Sequence, residues 1–344
     1  MSAVAFVTGG TGLVGTHLIL ALLQAGYRVR ALKRPSSDLS QVLRTFSFYD
    51  AIDADSFFRS IEWVEADLFD VEELAEQLEG CDYVFHTAAV VSFQGGNKQQ
   101  MLRTNVEGTA NMVNVCLKKM LPLCFVSSIA ALGRAEPGHP ATEEDIWQTS
   151  DHRSPYSCSK YQSEMEVWRG VAEGLNAVIV NPSVILGPGN WEKGSLTFFS
   201  RVYKGMRFHT SGITGFVDVR DVAGCMVGLM ERECFGERFI LSSGELSYHQ
   251  LFDMIAEGLH VKKPMMEARP WMLNTAYRLL KPVSKLTGKS PALTKETAHS
   301  AFQQLFYSNE KIRKTLFPFE FIPLQQTIED CCRYFLQQKQ ESLK

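Results

Sequence analysis

Tyr156 and Lys160 stand four residues apart in a stretch, Tyr156-Ser157-Cys158-Ser159-Lys160, whose pattern predicts a helix, so both side chains fall on one face. A tyrosine hydroxyl titrates near pH ~10 when unperturbed and carries protons poorly at neutrality. A neighbouring ammonium favours the phenolate, and the pairing therefore predicts a phenol whose pKa is lowered by its lysine. Ser128 closes an apolar run 28 residues earlier. A fixed serine hydroxyl can hold a substrate oxygen while a tyrosine exchanges its proton with it. Ser128, Tyr156 and Lys160 are thus the candidate catalytic set. The spacing alone is not specific, because Tyr277–Lys281 and Tyr307–Lys311 repeat it. Neither has a strand-terminal serine pair upstream, and neither lies where strand and helix patterns alternate.

Proton exchange at a carbonyl oxygen pairs with hydride transfer, and the N-terminus carries a holder for a hydride donor. Thr8-Gly9-Gly10-Thr11-Gly12-Leu13-Val14-Gly15 sits between a strand-like run, 3–8, and a helix pattern, 13–24. Glycines in such a turn let backbone N–H groups approach a pyrophosphate, and the helix N-terminus adds partial positive charge. A second strand-like run, 28–32, closes the unit and favours dinucleotide binding over a bare glycine-rich turn. NAD sites usually place Asp or Glu at the end of that strand. Here the chain reads Ala31-Leu32-Lys33-Arg34-Pro35-Ser36-Ser37, with no acid before Asp38. Lys33, Arg34 and Ser36 suit a 2′-phosphate, which favours NADP over NAD; a solvated basic turn is the bland alternative.

Further strand-like runs at 61–64, 83–87, 123–127 and 177–181 alternate with helix patterns at 71–78, 99–119 and 156–172. The runs are apolar almost throughout, as strands buried on both faces of a parallel sheet must be. Gly26, Gly80 and Gly174 follow three of the helices as stop signals. The expected fold class is α/β, a Rossmann-type doubly wound parallel sheet with a smaller, mostly helical C-terminal lobe. Residues 1–182, with returning segments near 216–242, form the nucleotide-binding unit in this reading. Residues 183–215 and 243–344 form the substrate lobe. With 344 residues, 45% hydrophobic content and a net charge of -3, the chain has room for both units and no basic footprint for nucleic acid. Its eight cysteines lack CxxC pairs, which points to free thiols in the reducing cytoplasm and to no metal site. No apolar run reaches membrane-spanning length. The 271–286 segment, which mixes Trp271 with Arg278, Lys281 and Lys285, reads better as a helix over a pocket than as a membrane-surface helix.

With these pieces in order, the chain resembles the extended short-chain dehydrogenase/reductase family, part of the NAD-dependent epimerase/dehydratase superfamily. The matching residues are Thr8-Gly9-x-x-Gly12-x-x-Gly15, Ala66-Asp67-Leu68, His86-Thr87-Ala88-Ala89 and Asn105-Val106-Glu107-Gly108-Thr109. Val126-Ser127-Ser128, Tyr156-x-x-x-Lys160, Asn181-Pro182-Ser183 and Phe216-Val217-Asp218-Val219-Arg220-Asp221-Val222-Ala223 complete them. The resemblance implies that Asp67 and Leu68 contact adenine, and that Ala88 and Ala89 line the pyrophosphate and ribose. It also implies that Pro182 flanks the nicotinamide with Ser183 and Val184 close by, and that Thr87, Val126, Ser127, Tyr156 and Lys160 contact the cofactor.

Within the family the chain is most similar to dihydroflavonol-4-reductase-like and 3β-hydroxysteroid-dehydrogenase-like reductases. Nucleotide-sugar dehydratases carry an acidic pair where this chain has Ile129-Ala130-Ala131, and epimerases carry an arginine turn where it has Gly212-Ile213-Thr214-Gly215. Asn181 also departs from the arginine common before that proline. The expectation is an NADP-dependent reductase of a ketone or aldehyde. A nucleotide-sugar epimerase or dehydratase, or a non-catalytic NADP sensor, are the alternatives. Phe93, Ile129, Trp191, Met206 and Phe208 are candidate pocket residues beside Ser128. The resemblance further implies a homodimer through helices 99–119 and 156–172.

Overall fold

The computed structural model describes residues 2–49, 53–91, 98–133, 135–136, 138–148, 154–272, 275 and 301–341. In chain order the strands are β1 (Val4–Thr8), β2 (Arg28–Lys33), β3 (Glu62–Glu65), β4 (Tyr83–His86), β5 (Leu123–Val126), β6 (Ala177–Pro182), β7 (Val184–Leu186), β8 (Phe208–His209), β9 (Ile213–Asp218), β10 (Glu237–Leu241), β11 (Gly244–Ser247) and β12 (Met266–Glu267). The helices are α1 (Leu13–Gln24), α2 (Ser40–Ser47), α3 (Ala54–Arg59), α4 (Val71–Gln77), α5 (Lys98–Leu102), α6 (Gly108–Lys119), α7 (Pro155–Ala172), α8 (Thr197–Tyr203), α9 (Val219–Glu231), α10 (Tyr248–Gly258), α11 (Glu310–Thr315) and α12 (Leu324–Glu341).

Among the described residues the large sheet has seven strands, ordered β10-β6-β5-β4-β1-β2-β3, and every pairing is parallel. Successive side chains of a strand face opposite sides. Ala5 and Val7 of β1 therefore pack with Leu18, Ile19 and Leu22 of α1, whereas Phe6 packs with Met112, Val113 and Cys116 of α6. Both faces are covered, which is why the central strands β1 and β5 are apolar almost throughout, whereas β2 and β3 toward the edge carry Arg28, Arg30, Glu62 and Glu65. The strand order reverses between β1 and β4, and a doubly wound sheet opens its ligand crevice at that point, beyond the carboxyl ends of the strands.

A smaller unit caps that edge. β9 pairs with β7 in parallel and with β11 antiparallel, and β8 pairs with β12. Trp191, Phe199, Phe252, Tyr334 and Phe335 form its core. A corner of ion pairs fastens α12 to the sheet. Asp218, at the end of β9, is fully buried, accepts three bonds from Arg220, one from its backbone N–H and two from its guanidinium, and receives a fourth from Thr327 Oγ1 at 2.8 Å. Arg220 also reaches Asp330 of α12 at 2.8 Å.

Asp221, in the same corner, accepts a bond from Ile322 N at 2.9 Å, yet burial pushes its carboxyl up to about 7. The folded chain therefore binds a proton between about pH 4 and pH 7 that the unfolded chain releases, and stability falls as pH rises through that window. Asp221→Asn is expected to raise Tm near pH ~8 and to leave it unchanged near pH ~4, where both side chains are neutral. Thermal unfolding at the two values checks this, and an equal shift at both would contradict it.

The helix expected over 99–119 is interrupted. α5 and α6 are joined by a π-helical turn, Arg103–Glu107. There Asn105 O accepts bonds from the side chains of Thr109 and Ser163, at 2.6 and 2.7 Å. Side-chain donors at that carbonyl accommodate the wider turn. The same turn aims the Asn105 amide at Val90, where it accepts from the N–H at 2.7 Å and donates to the carbonyl at 3.1 Å.

Candidate active site

β1, β4, β5 and β6 run parallel, so Thr8, Thr87, Val126–Ser128 and Pro182–Ser183 gather at one edge of the sheet. At the switch point Thr87 Oγ1 donates to Thr8 O at 2.6 Å, and Ala88 N donates to Thr8 Oγ1 at 3.2 Å. Thr8 Oγ1 also meets His86 Nδ1 at 2.7 Å, and burial holds that imidazole neutral, pushed down to about 3. Two stitches thus bring the glycine turn against the Thr87-Ala88-Ala89 segment.

The turn is packed too tightly for side chains. Gly9 has a φ of +69°, and a Cβ on it would stand 2.8 Å from Ala88 N and Cα. A Cβ on Gly15 would stand 2.2 Å from Gly9 O. Gly12 N donates to Gly9 O at 2.8 Å, closing the turn onto α1. The first N–H groups of α1 have no side-chain cap, and no acid lies in the first turn. An uncapped helix start beside bare backbone, flanked by Thr11, Leu13 and Val14, fits a pyrophosphate.

At the adenosine end the cations diverge. Lys33 of β2 sits opposite Glu65 of β3 and forms an ion pair with it. Arg34 is exposed, its guanidinium makes no bond among the described residues, and Ser36 is exposed beside it. Of the two cations in this turn, Arg34 is the one without an ion-pair partner among the described residues. Asp67 Oδ1 caps Phe69 N at 3.1 Å, and Leu68 O accepts from Asn111 at 2.9 Å. Arg103 lies over the Phe69 ring at 4.2 Å.

The candidate catalytic groups come together on β5 and α7. Ser128 is extended, and its Oγ accepts from Ala130 N at 3.1 Å at the start of the 3₁₀ turn Ile129–Ala131. Ser154 caps α7, Pro155 opens it, and Ser157 Oγ ties its first turn to Ala130 O at 2.5 Å. That brings the Tyr156 hydroxyl to the Ser128 side chain, near enough for the serine to act on the phenol. Lys160 lies one turn deeper, buried, with Nζ donating to Val126 O at 2.7 Å and lying 5.1 Å from the Phe125 ring centroid.

The electrostatics differ from the expectation of a lysine-acidified phenol. Burial pushes the Tyr156 phenol above its usual value, and the Ser128 side chain opposes that. The ammonium is itself pushed down to about 8 by burial, with Glu164 holding it up. Burial outweighs charge here because the Lys160 ammonium is turned to a carbonyl and a ring face.

Val126 and Ser127 are buried at the end of β5, Pro182 is buried at the end of β6, and Val184 is half-buried at the start of β7. Ser183 Oγ and its neighbour Ser242 Oγ are buried without hydrogen-bond partners among the described residues. Of the candidate pocket residues, Ile129 is half-buried beside Ser128, and Phe208 is 42% exposed on β8. Met206 packs on the lobe core, and Trp191 is buried in it with its indole N–H donated to Gln338 at 2.8 Å. Phe93 and the pair Tyr277–Lys281 lie outside the described residues. Lys311, of the remaining repeat, is paired with Glu237 at the foot of β10 at 2.8 Å. Asn181 does not face a pocket. It is fully buried and donates to Ser128 O and to Glu164.

The sequence profile of the NAD dependent epimerase/dehydratase family matches residues 5–239. A Synechocystis sp. protein provisionally named a dihydroflavonol 4-reductase is 29% identical over 316 residues, covering 89% of this chain and 87% of its own. Tetraketide alpha-pyrone reductase 2 of Arabidopsis thaliana is 29% identical over 264 residues, covering 72% and 80%. Among solved structures, gox2253 superposes with a TM-score of 0.80 at 29% identity, over 98% of this chain and 99% of that one. UDP-glucose 4-epimerase of Thermotoga maritima, at 20% identity and a TM-score of 0.75 over 97% and 99%, has the same fold.

Proposed function

The chain belongs to the NAD-dependent epimerase/dehydratase family, and from that premise we propose that it is an NADP-dependent oxidoreductase that reduces a ketone or aldehyde on a fairly apolar molecule. The observation that carries this reading is the gathering of Ser128, the Tyr156 phenol and Lys160 at the end of β5, with α7 tied to Ala130 O through Ser157, at the sheet edge where the glycine turn opens. Bound NADPH would supply the hydride. The chain's own residues handle the oxygen and its proton. Ser128 Oγ, fixed by Ala130 N, holds the carbonyl oxygen beside Tyr156. Tyr156 OH donates its proton to that oxygen as negative charge develops there. A phenol that burial keeps protonated suits a donor. Ile129-Ala130-Ala131 bring no acid or base next to Ser128, which supports reduction over water elimination. The reductase names of the relatives point the same way.

Spectrophotometric assay of NADPH oxidation against aldehydes, ketones and nucleotide sugars tests the reading. Net consumption with carbonyl compounds is the expected result. Interconversion of a nucleotide sugar without net consumption would overturn it, as would NADPH that binds and is never oxidised.

The NADP preference rests on Arg34, since Lys33 is neutralised by Glu65. Arg34→Asp is expected to weaken NADPH binding about tenfold or more relative to NADH, through loss of a charge-assisted phosphate contact. Fluorescence titration of both cofactors measures the ratio. An unchanged ratio would remove Arg34 from the account.

A further inference from the structure

Glu164 lies one helical turn beyond Lys160 on α7 and is completely buried. Its carboxylate accepts from Ser127 Oγ at 2.5 Å, Asn181 Nδ2 at 2.8 Å and Trp168 Nε1 at 3.3 Å, and pairs with Arg238 Nη1 at 3.0 Å. A carboxylate shut off from solvent stays ionised only if partners of this kind replace its water. Arg238 is anchored in turn. It reaches across from β10 to Glu143 O, at 2.8 Å from Nε, and to Asp145 O at 3.2 Å, while Glu143 Oε1 accepts from Ile240 N at 2.8 Å.

The partners of Glu164 lead directly to the proton-transfer groups. Asn181 Nδ2 donates to Ser128 O at 3.1 Å as well as to Glu164, and Lys160 donates to Val126 O at 2.7 Å. Three consecutive residues at the end of β5 are thereby each held by one member of the group: Val126 by Lys160, Ser127 by Glu164 and Ser128 by Asn181. We propose that Glu164 and Arg238 are a positioning pair for the proton-transfer set. The carboxylate, neutralised from β10, fixes the Ser127–Ser128 turn against Tyr156 and turns its charge toward the Lys160 ammonium. The inference rests on the reductase reading of Ser128, Tyr156 and Lys160.

The groups facing Lys160 are few. Tyr156 from its own helix is a neutral phenol, and His86 from β4 is neutral by burial. Arg238 stands beyond Glu164, and Glu143 and Asp145 turn backbone carbonyls to it. Glu164 is the anion that raises Lys160 against burial.

The test is the titration of Lys160 in the intact protein, read by NMR of its labelled ε-carbon and assigned by loss of the signal in Lys160→Met. Glu164→Gln keeps an oxygen for Ser127 and Asn181 and deletes the charge. Its Lys160 midpoint is expected to fall by about one pH unit or more, and the alkaline limb of kcat with it. The double variant E164Q/R238Q leaves no lone buried charge and is expected to show a smaller fall of the same sign. If the single variant does not fold, the double variant decides alone. A midpoint unmoved in the folded variants, with kcat lowered only in proportion to folded protein, would overturn the proposal. Should the native protein oxidise NADPH against no carbonyl compound, the reductase reading fails, and the NMR midpoints still judge the positioning pair.

Discussion

Tyr156→Phe is expected to reduce carbonyl turnover by ~10²-fold or more while leaving NADPH affinity nearly unchanged. The substitution deletes one oxygen and keeps the ring, so the packing of α7 against the end of β5 survives. Ser128 retains its bond from Ala130 N and can still hold a carbonyl oxygen. What disappears is the proton donor of the proposed reaction, and among the described residues neither His86 nor Lys160 is placed to replace it. His86 is neutral, buried, and bonded on both sides by Thr8 and Thr109. The Lys160 ammonium is turned to Val126 O. Steady-state assay and fluorescence titration read the two quantities separately, and turnover within a few-fold of native would remove Tyr156 from its role.

Gly15→Ala should damage cofactor binding and stability together. Its new methyl would stand 2.2 Å from Gly9 O, 2.8 Å from Gly9 C and 2.9 Å from Gly10 Cα. These are backbone atoms and cannot rotate aside as a side chain would. Either α1 lifts off the turn or the Gly9 peptide moves. The first is resisted by Leu18, Ile19 and Leu22, which are fully buried. The second disorders the N–H groups that would face a pyrophosphate. Overpacking of this kind costs about 1–3 kcal/mol, so a lower Tm and at least a tenfold weaker NADPH affinity, about 1.4 kcal/mol, are expected together. Gly224→Ala on α9 is the control, since a Cβ there meets nothing within 4 Å. Equal behaviour of the two variants would refute the steric account.

Much of the chain before residue 182 was legible because its central strands are short apolar runs and three of its helices end on a glycine. Gly26, Gly80 and Gly174 show φ values of +86°, +72° and +103° at the helix ends they were expected to mark. The meeting of Ser128 with Tyr156 was legible for the same reason, as both follow from where a strand stops and a helix starts. Short α2 was overlooked even though Val42, Thr45 and Phe46 form a buried stripe at helical spacing. The π turn at 103–107 was not legible, since one of the two side-chain donors at its Asn105 carbonyl, Ser163, comes from another helix.

Lys160 shows a different limit. Its spacing from Tyr156 announced a charge effect on the phenol, but the balance of burial and charge depends on what surrounds both groups in space. Glu164 had a local signal, four residues beyond Lys160 on the same face. Arg238 had none, since it lies on a strand 74 residues from its carboxylate. Asn181 was noticed as a departure, but what it touches depended on the fold.

The corner around Asp218 has a consequence for how this chain is made. α1, which opens the glycine turn, packs along α9, and α9 begins at the carboxylate that Arg220 and Thr327 share. The backing of the cradle is thus assembled from residues near 15, 218 and 330. On a ribosome the first of these emerges long before the last, so the support of the glycine turn is completed only once residues near 330 have been made.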